Sequence, residues 1–593
     1  MTEDSSTNIA VLHRPEQTAS GWEGIDLPEG YRISAEGVFE EKGGEWKKIC
    51  GPIWVTAKTR THTGEGWGVV LQWRDHDGTP HERAVPVARL HEATPTLAQG
   101  LATEGLEIIP GHERRLIAYL GHFRTDKRLQ SVTRLGWLDS EADRLVFILP
   151  SRDRTRVIGQ AEEHQVIFQP EKNLPSLESM HESGTLVKWQ FEVAGKCRGN
   201  PVLLLALSAP FAAPLLRFLE TEGGVFHLWG PSSTGKTTAL QVGASVWGCG
   251  ADPGASSATH IRRWNTTPNA LEATAAAFND TLLALDEMGS CAAPDFGKVV
   301  YDLVSGQGKT RLNKDAELRD QRFARVLAVS TGEISLAKRI EQDKGQRPTA
   351  GHRTRFVDVP TDGNIIAAAN GASPRRVAAD LKQNCGRYFG TAGPEFVRRM
   401  IDRYGGAKEL RQAVRDGVES WTAQLKGIRE LAPHQERALQ RFALVLVAGL
   451  MACDLEILPL PSAELKDGLE QVVRMWLDQD QSDGERGMNA LVEFMVRNER
   501  RFGAVDDPTI RPPDMIGYRD REQGRFLFTE HGLSEACGGY SADQVLAHIK
   551  SAGYLFTNDS ARLKSRHTIR ELYDQTVRIR LYAIDERIRE RDT

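Results

Sequence analysis

A multidomain α/β protein is the fold class predicted by this sequence of 593 residues: a parallel sheet with flanking helices, a β-rich domain before it, and a helical, winged-helix-like region after it. Three observations predict it. From about 186 to 360, short apolar strands alternate with helical stretches. One of those strands, Val225-Phe-His-Leu-Trp229, runs into a glycine-rich loop and then a helix over Thr238 to Trp247. The flanks read differently, strand-like before this region and helical after it, and the length suits several domains of roughly 150 residues each.

Taken in order, residues 1–20 are polar and acidic, with no basic or apolar segment of a secretory signal, and are expected to be a disordered tail. Residues 21–185 form the β-rich domain, where short apolar runs are separated by turn signals such as Asp77-Gly78. Five of the twelve tryptophans lie between Trp22 and Trp73, and a β core uses such residues more often than base stacking does. The apolar run Val202–Leu219 is interrupted by Pro210, Pro214 and Arg217, which predicts a buried helix pair and no membrane span. Residues 186–430 hold the α/β core with a helical lid, 431–500 a helical segment, and 478–484 a loop or linker. Within 501–593, Ala542–Lys550 reads as a helix, Arg562–Arg566 as a basic loop and Val577–Ala583 as a strand, the order of a small winged helix.

Composition narrows the classes. With 40% hydrophobic and 26% charged residues and a net charge of −5, the chain has no global basic field, so contact with nucleic acid must come from local patches. Seven scattered cysteines without a Cys-x-x-Cys pair argue against zinc ribbons and redox dithiols, and fit reduced thiols in the cytoplasm.

The chemistry begins at Gly230-Pro231-Ser232-Ser233-Thr234-Gly235-Lys236-Thr237, followed by Thr238, which has the full spacing of a phosphate-binding loop. Its glycines let backbone N–H groups surround phosphates, and the helix behind adds its positive end. Lys236 is placed for the β- and γ-phosphates of ATP and Thr237 for Mg²⁺. Fifty residues on, Leu282-Leu-Ala-Leu-Asp286-Glu287 is an apolar strand ending in two carboxylates. Asp286 would hold Mg²⁺ through water and Glu287 would polarise the attacking water, which is what hydrolysis needs beyond binding. A third strand ends in Ser330-Thr331-Gly332-Glu333. In additional-strand ATPases a polar residue there touches the γ-phosphate or lytic water, and either Ser330 or Thr331 could do so. An N-cap role is the alternative for both. In Gly351-His-Arg353-Thr-Arg355-Phe-Val-Asp358, an arginine on the following strand is placed to enter a neighbouring subunit's site, Arg355 before Arg353. Asn265 is a candidate for orienting Glu287.

Between Glu287 and Ser330 lies Ser305-Gly-Gln-Gly-Lys309-Thr-Arg311-Leu-Asn-Lys314, expected to open into a hairpin. Ser305 to Arg325 carries six basic and three acidic residues, so Lys309, Arg311 and Lys314 are the candidates for gripping a DNA backbone.

The run Gly230–Leu240 with Ser245-Val-Trp-Gly248, then Leu285-Asp-Glu-Met288, Ser305-Gly-Gln-Gly-Lys309 and Ser330-Thr-Gly-Glu333, resembles the bacterial and prophage family catalogued as domain of unknown function 927. Some of its members are similar to minichromosome-maintenance (MCM-like) helicases of mobile elements. Covering about 30–420, the resemblance implies an AAA+ ring, commonly a hexamer, with a hairpin in its channel and a C-terminal winged helix. It further implies ATP and Mg²⁺ as cofactors, single-stranded or forked DNA and replication proteins as partners, and ATP-driven unwinding. Arg375 and Arg376 are the candidates for a second sensor. The alternative is an AAA+ loader, remodeller or defence NTPase that does not unwind. A nucleotide-gated DNA-binding protein without turnover is a third class, against which the Asp286-Glu287 pair argues.

Overall fold

The computed structural model describes residues 22–138, 143–150, 155–159, 166–170, 175–254, 258–306, 324–343, 348–367, 372–428, 431–480, 483–558, 562–571, 573 and 575–590. The chain divides into two units, Met1–Trp476 and Leu477–Thr593.

Five apolar segments build the sheet that positions the site: β1 (Gly224–Trp229), β2 (Ile261–Arg263), β3 (Leu282–Asp286), β4 (Leu327–Gly332) and β5 (Phe356–Pro360). Their order is β2-β3-β4-β1-β5, and every pairing is parallel. β4 is buried at all of its positions, as a strand covered on both faces must be. It lies between the loop strand β1 and the carboxylate strand β3. Helix α1 (Pro201–Ala212) comes from the apolar run before β1. It is buried along its length with Pro210 inside it, and Leu216–Leu219 forms a short second helix. Among the described residues, no helix is long and apolar enough to cross a membrane. Helix α2 (Lys236–Ala244) follows the loop and packs against both α1 and helix α7 (Pro374–Cys385). Further helices span Ala392–Tyr404, Ala407–Lys426, Pro433–Asp454 and Ser462–Gln479.

Ahead of the sheet, the strands Val166–Phe168, Arg128–Val132, Ile53–Arg60, Gly68–Arg74 and Pro80–Pro86 form a five-stranded mixed sheet in that spatial order, accompanied by two three-stranded antiparallel sheets. Trp54 and Trp73 fill its core, and Trp22 packs edge-on to Trp54. Trp46 and Trp67 stay at the surface, 39% and 42% exposed, beneath arginines. The β-rich segment is pinned to the parallel sheet by buried Asp280. Its carboxylate accepts the Trp137 N–H at 2.9 Å and a two-pronged Arg325 pair at 2.6 and 2.7 Å. Gly136 sits against that carboxylate at φ +87°, where a Cβ would come within 2.3 Å of Asp280. All seven cysteines are free, and six are buried.

The second unit is a mixed sheet with its own core, centred on Phe526, Phe528, Val545 and Ile549. Its strands run Phe502–Ala504, Gly517–Asp520, Arg525–Phe528, then β7 (Thr576–Asp585) and Leu555–Phe556; β6 (Ser565–Arg570) pairs with β7 alone. Helices Glu530–Ala536 and α8 (Ala542–Ser551) lie between these strands in sequence. The segment expected to be a basic loop at 562–566 thus leads directly into a strand at Ser565.

Candidate functional site

A cavity of about 380 Å³ opens at the carboxyl ends of β1, β3 and β4, where ligands of open parallel sheets bind. The glycine-rich loop forms one wall with Ser232, Ser233, Gly235, Lys236, Thr237 and Thr238. Gly230 has φ +153°, and a Cβ there would meet Thr361 Oγ1 at 2.6 Å, so the close approach of the loop to the β5 exit requires glycine. Gly235 caps α2 at φ +104°. The loop is braced from behind. Thr361 N–H donates to Trp229 O at 2.8 Å, and Ile365 N–H to Thr234 O at 3.0 Å. Gly230, Pro231 and Thr234 shape the loop without lining the cavity.

Lys236 Nζ donates to the carbonyls of Gly230 and Pro231 at 2.9 and 2.5 Å. Burial lowers its pKa, and the carboxylates of Glu333, Glu287 and Asp286 pull it back up. Facing it, Asp286 and Glu287 end β3. Glu287 has φ +59°, a left-handed conformation that a side chain adopts only under local constraint. Its pKa is raised by burial first, then by the charges of Asp286 and Glu333.

Strand parity separates Ser330 from Thr331. Successive side chains point to opposite faces, and the register sets Ser330 beside Leu285 and His227. Thr331 Oγ1 donates to Asp286 Oδ1 at 2.5 Å and accepts the Glu287 N–H at 3.2 Å, inside the cavity. Ser330 is buried on the other face, where its hydroxyl accepts from Trp264 Nε1 at 2.8 Å and lies 3.0 Å from His227 Nδ1. His227 Nε2 is 3.0 Å from the Ile334 carbonyl, which fixes the proton on Nε2 and makes Nδ1 the acceptor of the Ser330 hydroxyl. Neither residue is an N-cap; Ser335 caps the following helix, α5 (Leu336–Glu341).

The far wall joins Arg375, one of the two second-sensor candidates, to Asn364 and Lys382, which the motifs did not single out. Glu333 and Asn364 line it, with Arg375 and Lys382 from α7. Arg375, Ala378 and Lys382 are spaced i, i+3, i+7, one helix face, and that periodicity was the available signal. Arg376 turns away and pairs with Asp380 at 3.0 Å. Asn265 is exposed and does not line the cavity.

Arg353 and Arg355 lie on a helix, α6 (Ala350–Arg355), where the sequence predicted a strand. The cause is a capping box. Thr349 Oγ1 accepts the His352 N–H, and His352 Nδ1 accepts the Thr349 N–H at 3.0 Å, which starts a helix that ends only at Phe356. Both arginines precede β5 and are therefore at the opposite end of the sheet from their own chain's cavity. Arg353 is buried, while Arg355 pairs with Glu222 at 2.7 Å and stacks over Tyr301. Lys309, Arg311 and Lys314 lie outside the described residues.

These elements define a multidomain α/β protein with a polar cavity at the mouth of a parallel sheet. It shares its fold with a solved structure described as SCCmec type IV Cch, an active helicase, at a TM-score of 0.67 and 18% identity over 94% of this chain and 96% of that one. The A-form apo structure of the NrS-1 C-terminal region aligns over 90% of this chain and 96% of that one, with a TM-score of 0.30 and 10% identity. No curated protein matches the sequence. Residues 31–323 match the domain of unknown function 927 (DUF927), and the chain belongs to that family.

Proposed function

We propose that this protein is an ATP-hydrolysing AAA+ ring motor, a hexamer of identical subunits, that translocates on and unwinds DNA during replication of a prophage or other mobile element. The observation that carries the proposal is the meeting of Lys236, Thr237, Asp286, Glu287 and Thr331 in one cavity. β4, the additional strand, separates the loop strand from the carboxylate strand. The fold shared with a structure described as an active helicase supports the same reading, as does membership of the DUF927 family.

The donor set fits a nucleotide with Mg²⁺. A hydroxyl and a carboxylate, Thr237 and Asp286, are hard oxygen ligands, and Mg²⁺ is normally held by one or two such groups together with substrate phosphates. When bound, Mg²⁺ supplies charge neutralisation at the phosphate oxygens. The chain does the rest. Backbone N–H groups of the loop and the start of α2 bind phosphate. Lys236 exchanges its hold on the Gly230 and Pro231 carbonyls for the β- and γ-phosphates. Glu287, whose raised pKa suits a base, takes the proton of the attacking water. Thr331 keeps both carboxylate residues in place. Arg375 serves as the second sensor from the lid, and Arg355 stabilises the transferring phosphoryl group of the neighbouring subunit.

Two variants and a forked substrate test this. Lys236→Ala is expected to lose nucleotide binding, and Glu287→Gln to bind ATP while turnover falls by 10²-fold or more, on the order expected for losing a positioned base. Wild-type protein is expected to displace a strand from forked DNA with ATP. DNA-stimulated hydrolysis without displacement in either polarity would transfer the case to a loader or remodeller, and unchanged turnover in Glu287→Gln would remove the assigned base.

A further inference from the structure

The second unit carries a surface that the ATP site does not explain. β6 and β7 form an antiparallel ribbon, and the part of β7 that pairs with β6 runs from Thr576 to Leu581. Only its continuation, Tyr582–Asp585, joins the rest of the sheet. This part spans six residues, roughly 17 Å over its five intervals at about 3.4 Å each. Register sets Arg566 opposite Arg580, Thr568 opposite Arg578 and Arg570 opposite Thr576. Alternation therefore places Arg566, Arg570, Arg578 and Arg580 on one face, all exposed, with only threonines between them. Ile569, Ile579 and Leu581 take the other face, packed with Tyr518, Leu527 and Ala583 in a smaller apolar cluster of the second unit.

Like charges directly opposite each other destabilise a strand pair, and Arg566 faces Arg580 with no acid between them. Among the described residues, Arg566, Arg578 and Arg580 have no ion pair, whereas neighbouring Lys564 pairs with Glu530 at 2.9 Å and Arg587 with Asp585 at 2.7 Å. The three guanidinium forks that lack such a partner, those of Arg566, Arg578 and Arg580, are suited to a row of phosphates.

We propose that the arginine face of this ribbon binds duplex DNA through its phosphate backbone. The duplex is favoured over a single strand because the six positions of the face, Arg566, Thr568, Arg570, Thr576, Arg578 and Arg580, hold no aromatic side chain on which unpaired bases could stack; the exposed Tyr573 lies in the connecting turn. It also has the width of an element that fits beside or within the major groove. Contacts made to phosphate oxygens alone carry no base code, so binding through this face is indifferent to sequence. The adjacent helix α8 does not compete for this role; Lys550 is its only lysine or arginine, offset by Asp543. The ribbon would thus hold the double-stranded part of a substrate, independently of nucleotide and of the ATPase assignment.

The test is fluorescence anisotropy of the full chain on a mixed-sequence duplex of about 25 base pairs, without nucleotide, at several salt concentrations. The variant Arg566→Thr/Arg578→Thr/Arg580→Thr is expected to flatten the dependence of log K on log[salt] by about 2.7, three phosphate contacts at ~0.9 each. Over the decade from 1 M to 0.1 M salt that amounts to a loss of about 500-fold in affinity. The triple lysine replacement is expected to keep most of the slope, because charge and not fork geometry sets it. Hydrolysis of ATP without DNA should be unchanged. The thermal midpoint of the threonine variant should be equal or higher, since the Arg566–Arg580 opposition is relieved. Wild-type affinity and slope in the threonine variant would overturn the proposal, as would failure of the wild type to bind duplex DNA. A loss confined to single-stranded DNA would overturn the duplex assignment.

Discussion

Ser330→Ala and Thr331→Val are expected to fail in opposite ways, although the two residues are adjacent in sequence. Ser330 is fully buried, and its hydroxyl is shared by Trp264 Nε1 at 2.8 Å and His227 Nδ1 at 3.0 Å. Removing it leaves a buried indole N–H and a buried imidazole nitrogen without partners, at about 1–3 kcal/mol each. The expected cost is about 2–6 kcal/mol of stability, on the order of 5 °C in thermal midpoint, with kcat preserved. Thr331 Oγ1 bonds Asp286 at 2.5 Å and the Glu287 N–H at 3.2 Å. Valine fills the same volume but makes neither bond. A hydrogen bond to a charged group is worth about 1.5–3 kcal/mol, so turnover is expected to fall by about 10- to 150-fold. Stability should change by about 1 kcal/mol or less, because the freed carboxylate faces a cavity open to water. Steady-state hydrolysis and differential scanning fluorimetry on the same preparations read both axes. Lost turnover in Ser330→Ala alongside intact turnover in Thr331→Val would refute the face assignment on which the site is built.

Two further outcomes follow from other parts of the structure. If Arg355 acts on the neighbour's nucleotide, Lys236→Ala and Arg355→Ala should each be inactive, yet an equimolar mixture should regain up to about a quarter of wild-type hydrolysis. One interface in four then joins an intact loop to an intact arginine in a head-to-tail ring; an active Arg355→Ala alone would end the trans role. Acid should weaken the first unit well before its carboxylates protonate. His227 and His260 are buried, and burial lowers them from an ordinary value near 6.5 to about 4 and about 3. The unfolded chain therefore takes up these protons first, and stability falls as pH drops from above 6.5 toward 4. Each contributes up to roughly 1.4 kcal/mol per pH unit, on the order of 4 kcal/mol together by pH 5. Urea midpoints at pH 7 and pH 5 check this, and a flat profile would mean that neither histidine is held neutral.

Which parts of the site were legible in the sequence depends on whether the signal was local. The strand–loop–helix around Lys236 was readable because composition, spacing and apolar patterning all fall within about twenty residues. The choice between Ser330 and Thr331 was not, since it depends on the register of β4 against β3, and a slip of one residue exchanges the faces. Arg353 and Arg355 were expected on a strand because Thr349-x-x-His352 lacks the Glu or Gln that marks a capping box, although His352 makes the same pair of bonds. The far wall joins Asn364 and Lys382 to a loop more than a hundred residues earlier, a proximity that only packing creates. The ribbon shows the same division of information. Alternation over Arg566–Arg570 and Arg578–Leu581 is written in the sequence, but the facing of Arg566 and Arg580 comes from pairing. Moving one strand by a single residue would set these arginines against Ile569, Ile579 and Leu581, the residues that pack with Tyr518 and Leu527 in the second unit. The apolar face therefore fixes the register at the expense of gathering like charges on the other side, and that concentration of charge is the feature which calls for an anionic partner.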